Sequence, residues 1–269
     1  MKKKISTLSM SYILFLILLF LSGSLSGVLS EAVYLLAFAL PIILALYLTR
    51  NDKVEGGEYL VLKSEGIRTT LPLIAPTVSA IMLVSFLTSI LIFALTGERN
   101  EVDVGDSLIP ALISHALLPA IFEEALFRYL PMRLLASHSR RAAVIISAFF
   151  FALVHHDFFS IPYAFLAGII FMTVNLATGS VIPSVIIHFV NNALSVGLLI
   201  YADNAAFSPI VYVILGVISC VSLCVIFVRR KRYLERLFFA FDRGEGIKFT
   251  AEMLIFAGLS LSIAVISLI

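Results

Sequence analysis

Charged residues and cysteines are scarce in this sequence, and tryptophan is absent: 13% of the 269 residues are charged and two are cysteines. A soluble domain usually carries about 25% charged residues, so an ordinary soluble protein is excluded. A disulfide framework is excluded as well, because Cys220 and Cys224 lie four residues apart on one predicted helix, where disulfide geometry is poor. We expect both to be small packing residues.

Hydrophobic residues take the place of the missing charge and make up 61% of the chain. Long apolar runs recur from one end to the other, and about 20 such residues cross a hydrocarbon layer of roughly 30 Å. This predicts an all-α fold, a polytopic bundle of about eight or nine transmembrane helices that forms a single membrane domain over residues 1–269. The predicted spans are residues 10–29, 32–49, 72–96, 107–136, 141–155, 159–177, 181–201, 207–228 and 251–269.

The basic residues predict the orientation, since lysine and arginine accumulate in cytoplasmic loops. With the amino terminus in the cytoplasm, the inner segments hold nearly all of them, and Arg99 is the exception. The basic start "MKKK" and the short loops suggest a prokaryotic plasma membrane. A cleaved signal peptide is the alternative reading of the first span.

The segment 229–248 mixes basic residues with tyrosine and phenylalanine. It predicts a cytoplasmic interfacial stretch that binds anionic lipid head groups, or else only a signal that fixes topology. We expect membrane lipids as partners and no nucleic acid.

Three polar clusters interrupt the apolar spans, although an ionisable group at membrane depth costs roughly 2.5 to 3.5 kcal/mol and usually serves a function. The first cluster lies in "FEEALFRYLP", residues 122–131, and the second in "FALVHH", residues 151–156. The third is "HFVNN", residues 188–192. They define the expected motif-bearing core, at about residues 107–200.

Helical spacing predicts which of these side chains share a face, because positions i and i+4 do so. Glu124 and Arg128 can pair along one side of a helix, while Glu123 is turned about 100° away. The pairs Phe151 and His155, and His188 and Asn192, follow the same spacing. If the fourth and fifth spans form a hairpin that turns near residues 137–141, Glu123 and His155 both stand roughly 22 Å from the turn. The three clusters should therefore converge on one zone.

A carboxylate, two imidazoles and a carboxamide in a wet membrane cavity suit hydrolysis of a peptide bond by water. The reaction needs a general base, a group that assists proton transfer and donors for the oxyanion. Glu123 and His155 could activate the water, while His188 and Asn192 donate to the oxyanion. Arg128 would hold the glutamate pair.

The ordered motifs E-E-x-x-x-R, F-x-x-x-H and H-x-x-x-N resemble those of the type II CAAX prenyl endopeptidases, also called the CAAX protease and bacteriocin-processing family. The matching residues are Glu123, Glu124 and Arg128, then Phe151 and His155, then His188 and Asn192. Glycines at 168 and 179 also resemble the passage between the second and third motifs. The resemblance covers about residues 107–200.

The resemblance implies an intramembrane glutamic endopeptidase with catalytic Glu123, His155, His188 and Asn192 and no cofactor or metal. Glu124, Arg128 and Phe151 are supporting residues in this assignment. The substrate it implies is a membrane-associated peptide or lipidated protein, such as a prenylated CAAX segment, and the site would be reached from the cytosol.

Three alternatives stay open on the residues alone. His155, His188 and a glutamate could bind zinc, although the H-E-x-x-H spacing is absent. Buried ionisable groups also build transport pathways. The chain could lastly be a catalytically idle scaffold or immunity protein. Among smaller signals, Asn175 predicts an interhelical hydrogen bond, and His115 an outer-side packing residue or a further cavity residue two turns before Glu123.

Overall fold

In the computed structural model, the described residues are 2–51, 64–97, 107–155, 160–201, 204, 206–229 and 250–266. Within them the chain forms nine helices and no β-strand, which confirms the predicted all-α bundle. The helices are α1 (Lys2–Gly23), α2 (Gly27–Leu48), α3 (Ser64–Thr96), α4 (Leu108–Leu135), α5 (Arg140–Leu153), α6 (Ile161–Thr178), α7 (Ile182–Ile200), α8 (Phe207–Arg229) and α9 (Ala251–Ile266).

Seven of these helices are long and apolar enough to cross a membrane, all except α5 and α9. The prediction that residues 141–155 cross the membrane is wrong. The helix in this segment, α5, has 14 residues and reaches only about 21 Å at 1.5 Å per residue. The apolar part of α9 is also short within the described residues, at Ala251–Ile263. The first two spans begin earlier than predicted, and the second begins at Gly27, whose φ is 62°.

An aromatic cluster joins the amino-terminal helices to the centre of the bundle. The ring of Tyr12 on α1 lies 4.4 Å from that of Phe150 on α5 and 5.1 Å from that of Phe127 on α4, measured between centroids. Phe256 on α9 contacts both Tyr12 and Phe150. Because lipid tails are as apolar as these side chains, close van der Waals packing of this kind holds the membrane helices together.

Two π-helical segments interrupt α4, at Leu112–Leu117 and Ala125–Tyr129, and the sequence spacing did not predict them. The second precedes Pro131, which has no amide hydrogen for the carbonyl groups of Phe127 and Leu126. The hydroxyl of Tyr12 donates instead to the carbonyl of Leu126, at 3.2 Å, and the hydroxyl of Ser147 donates to that of Phe127. Side chains of α1 and α5 thus satisfy the irregular backbone, as the membrane interior requires.

The helices α5 and α6 pack closely because Gly168 faces Ala148. A Cβ atom at position 168 would lie 2.7 Å from the Cα of Ala148, so only glycine permits this approach. The turn into α7 depends on Gly179, whose φ is 70°, and on Asn175, whose side chain donates to Ser184 at 2.7 Å and accepts from its amide at 3.2 Å. The predicted interhelical bond of Asn175 is therefore present.

Helix α8 lies at the outside of the bundle and packs mainly on α3, where Ser79 and Ser219 share a hydrogen bond of 2.7 Å. Cys220 and Cys224 are free and exposed on its outer surface, so they are not the packing residues that the sequence suggested. The predicted interfacial segment 229–248, apart from Arg229, lies outside the described residues, as does Arg99.

Candidate active site

Glu124 and Arg128 form a buried ion pair on α4. Both side chains are fully buried, and Arg128 Nε lies 3.4 Å from Glu124 Oε2. The guanidinium carbon lies 3.9 Å from the centroid of the Phe151 ring and 5.3 Å from that of Phe171, so two aromatic faces cover the cation. The pairing expected from the i, i+4 spacing is present, and it places the charge of Arg128 beside the glutamates.

His188 on α7 lies between the two adjacent glutamates. Its Nδ1 atom lies 3.0 Å from Glu124 Oε1, and its Nε2 atom lies 3.9 Å from Glu123 Oε2. An ionised carboxylate only accepts hydrogen bonds, so Nδ1 is the donor to Glu124. Glu124 therefore fixes the orientation of the imidazole and leaves Nε2 on the side of Glu123. The sequence predicted that His188 faces the site but not that Glu124 holds its ring.

His155 lies just beyond the last residue of α5, and its tautomer follows from one hydrogen bond. Its Nδ1 atom lies 2.8 Å from the carbonyl oxygen of Phe151, and because a carbonyl accepts only, Nδ1 carries the hydrogen. In the neutral ring, Nε2 then has a free lone pair.

Phe151 contacts three members of the site. Its ring centroid lies 4.8 Å from that of His155 and 5.9 Å from that of His188, both at nearly right angles, while Arg128 lies over its face. A buried side chain with these neighbours fixes the spacing of α4, α5 and α7 around the site. Phe151 therefore contacts residues of α4 and α7 as well as His155, while its supporting role in catalysis stays a prediction.

The four residues predicted to be catalytic line one cavity of about 490 Å³. Glu123 enters it from α4, His155 from the end of α5, and His188 and Asn192 from α7. The oxygen of the Asn192 side chain accepts a hydrogen bond from Asn191 Nδ2 at 3.2 Å. This leaves the amide hydrogens of Asn192 for another acceptor, such as an oxyanion.

The cavity also has polar residues that the motifs did not reveal. His115 lines the cavity, which is one of the two positions that the sequence predicted for it. Ser85 and Ser89 lie on one face of α3, where no polar motif marked them. Asn191 and Ser195 adjoin the third motif on α7, and the i, i+3 spacing from Asn192 was a signal available for Ser195. The full polar set beyond the predicted residues is Ser85, Ser89, His115, Tyr163, Asn191, Ser195 and Tyr212.

The zinc alternative requires at least three convergent ligands. Within the described ranges, no group of three or more histidine, cysteine, aspartate or glutamate side chains is arranged to hold a metal ion. Of the two carboxylates near His188, Glu124 lies within hydrogen-bond distance of Nδ1, whereas Glu123 lies 3.9 Å from Nε2, within range of an ion pair only.

One comparison with known proteins gives a match. Residues 105–194 match the Rce1-like family model, described as type II CAAX prenyl endopeptidase Rce1-like. The match confirms the predicted resemblance and covers the helices that carry Glu123, His155, His188 and Asn192. No curated protein and no solved structure matches the chain.

Proposed function

We propose that this protein, whose residues 105–194 match the Rce1-like family model of type II CAAX prenyl endopeptidases, is an intramembrane endopeptidase in which water attacks the peptide bond directly. The observation that carries this proposal is the single cavity shared by Glu123, His155, His188 and Asn192. It supplies a base, a proton carrier and hydrogen-bond donors at one place, within a bundle of membrane-spanning helices.

Glu123 and His155 activate the water in this mechanism. The lone pair of His155 Nε2 and the carboxylate of Glu123 accept hydrogen bonds from one water molecule, which orients its oxygen toward the carbonyl carbon of the substrate. As the new C–O bond forms, one proton of the water passes to this pair. The same proton then goes to the leaving nitrogen when the C–N bond breaks, so the pair returns to its starting state.

His188 and Asn192 stabilise the oxyanion. Asn192 donates from its side-chain amide, and His188 donates from Nε2, since Nδ1 is engaged by Glu124. Nε2 can donate only when the ring carries both protons, and such an imidazolium would lie between Glu123 and Glu124. Preorganised donors of this kind act strongest where protein excludes bulk water.

Glu124 and Arg128 support the site without touching the substrate. Both are fully buried, and neither lines the cavity. Arg128 stabilises the carboxylate of Glu124, which in turn orients His188. The two carboxylates thus have different roles, although they are neighbours in the chain.

The substrate proposed here is a membrane-associated peptide or a lipidated protein, such as a prenylated CAAX segment. A cavity of 490 Å³ falls within the range of about 300 to 1,000 Å³ that is usual for ligand sites. The basic residues support a cytoplasmic amino terminus in a prokaryotic plasma membrane, in contact with anionic lipids.

The test is cleavage of fluorogenic CAAX peptides, prenylated and not prenylated, by the purified protein in liposomes. Glu123→Gln and His155→Ala should each lower kcat by about 10²-fold or more without a change in Tm. His138→Ala, a change of an exposed histidine in the turn before α5, should leave activity intact. If the wild type cleaves neither peptide, or both variants cleave as well as it does, the proposal is wrong.

Metal independence is tested in the same assay. Incubation with a strong chelator followed by its removal should leave the rate unchanged, since the proposed groups need no Lewis acid. Loss of activity that added zinc restores would instead support the zinc alternative.

A further inference from the structure

A second cavity lies beside the first. It is bounded by α1, α2, α4, which carries Glu123, and the carboxyl end of α5, where His155 lies. Its volume is about 170 Å³. Six of its lining residues are apolar or aromatic, and the other two are the proposed water-activating residues. The lining consists of Phe15, Leu19, Tyr34, Phe38, Phe127, Val154, Glu123 and His155.

Glu123 and His155 line both cavities. A peptide bond positioned at this pair from the larger cavity therefore has the smaller cavity as its immediate neighbour. A side chain attached next to that bond is the part of the substrate that can extend past the pair. The position of the smaller cavity thus indicates a role in binding the residue beside the cleaved bond.

The walls of the smaller cavity favour an apolar occupant. Phe15 and Phe38 are each 3% exposed, and Phe127 is fully buried. The centroid of the Phe15 ring lies 5.0 Å from that of Phe38 and 5.6 Å from that of Phe127. The polar groups in this lining are the hydroxyl of Tyr34, the carboxylate of Glu123 and the imidazole of His155, and the remaining five residues are apolar.

The size of the smaller cavity limits its occupant further. A volume of 170 Å³ lies below the range of about 300 to 1,000 Å³ for sites that hold a whole small ligand. One amino-acid side chain is a suitable occupant, whereas a long lipid chain is too large. A lipid on the substrate would have to lie in the larger cavity or among the helices.

We propose that this smaller cavity is a specificity subsite that takes one apolar side chain from a residue next to the cleaved bond. The inference rests on the proposed function and names a determinant of its selectivity. Leu19 and Phe38 belong to α1 and α2, which lie outside the residues 105–194 that match the family. Four of the eight residues that line the subsite therefore lie outside the matched region that carries the catalytic motifs.

The experiment changes the volume of the subsite at Leu19. Leu19→Phe fills the cavity and Leu19→Ala enlarges it, while Leu21→Phe and Leu21→Ala make the same changes at a leucine that is 45% exposed on the same helix and does not line the cavity. Each protein is assayed on peptides that carry alanine, leucine or phenylalanine at the positions on either side of the cleaved bond. The readout is the ratio of kcat/KM between peptides.

At one flanking position, the wild type should prefer leucine to alanine. Leu19→Phe should shift that preference toward alanine by about tenfold or more, and Leu19→Ala should shift it toward phenylalanine, since a few methylene groups in an apolar pocket change selectivity by about 10- to 200-fold. The other position and both Leu21 variants should keep the wild-type ratios. Opposite shifts at one position distinguish a subsite from general loss of structure.

Two results overturn the inference. Equal loss of activity on all peptides, with no change in their ratios, means that Leu19 affects only stability or the catalytic pair. Equal shifts in the Leu21 variants mean that the effect is not local. If the wild type cleaves none of the peptides, the proposed function itself fails and the subsite fails with it. Should Leu19→Phe not fold, Leu19→Ala alone must show its shift toward phenylalanine.

Discussion

Replacing Arg128 by methionine should destabilise the protein more than any change of an exposed arginine. Methionine keeps much of the length of the side chain and its contact with the ring of Phe151, but it removes the cation that lies 3.4 Å from Glu124 Oε2. A fully buried carboxylate then loses its charged partner. The change therefore isolates the electrostatic contribution of Arg128.

The magnitude follows from the burial of both groups. Breaking a buried pair from one side costs about 3 to 5 kcal/mol, and Tm shifts by about 2 to 4 °C per kcal/mol for a chain of 150 to 250 residues. Since Glu124 keeps its hydrogen bond from His188 Nδ1, the lower half of that range applies. We expect Tm in detergent to fall by about 10 °C.

Two comparisons make the measurement decisive. Arg141→Met, a change of an exposed arginine in the first turn of α5, should shift Tm by less than about 2 °C. The double variant Glu124→Gln/Arg128→Met leaves no unpaired charge and keeps an acceptor for His188, so it should be more stable than Arg128→Met alone. If Arg128→Met melts with the wild type, or if the double variant is the less stable, the buried pair does not have the importance assigned to it.

Three further changes test the packing and the oxyanion donors. Gly168→Ala places a Cβ 2.7 Å from the Cα of Ala148 and should destabilise by about 1 to 3 kcal/mol, whereas Gly197→Ala, with open space around it, should be neutral in the same thermal melt. Tyr12→Phe removes the donor to the Leu126 carbonyl and should cost about 1 to 2 kcal/mol; an unchanged Tm would contradict this. Asn192→Ala should lower kcat by about 10²- to 10³-fold at constant Tm, and a kcat close to that of the wild type would remove Asn192 from the oxyanion site.

The helical class and the candidate site were accessible from the sequence because both depend on local rules. Apolar runs give membrane helices whatever their neighbours are, and spacing along a helix decides which side chains share a face. The pairing of Glu124 with Arg128 follows from that spacing alone. The rarity of charge in the apolar spans then marked Glu123, His155 and His188 as candidates before any contact was known.

Features that depend on backbone irregularity escaped sequence analysis. The π-helical segment at Ala125–Tyr129 is stable because Tyr12 and Ser147 satisfy carbonyl groups near Pro131, and these donors come from other helices. Hydrophobicity continues through such breaks, so the periodic pattern does not reveal them.

The sequence by itself determined that the chain forms apolar helices and that one face of each motif is polar, since both follow from residue type and from the geometry of a single helix. Only the tertiary structure decided that His188 lies between Glu123 and Glu124 and that Glu123 and His155 line two neighbouring cavities. These arrangements depend on how helices distant in the chain approach one another. That approach is fixed by packing across the bundle, such as Gly168 against Ala148, which spacing along one helix does not contain.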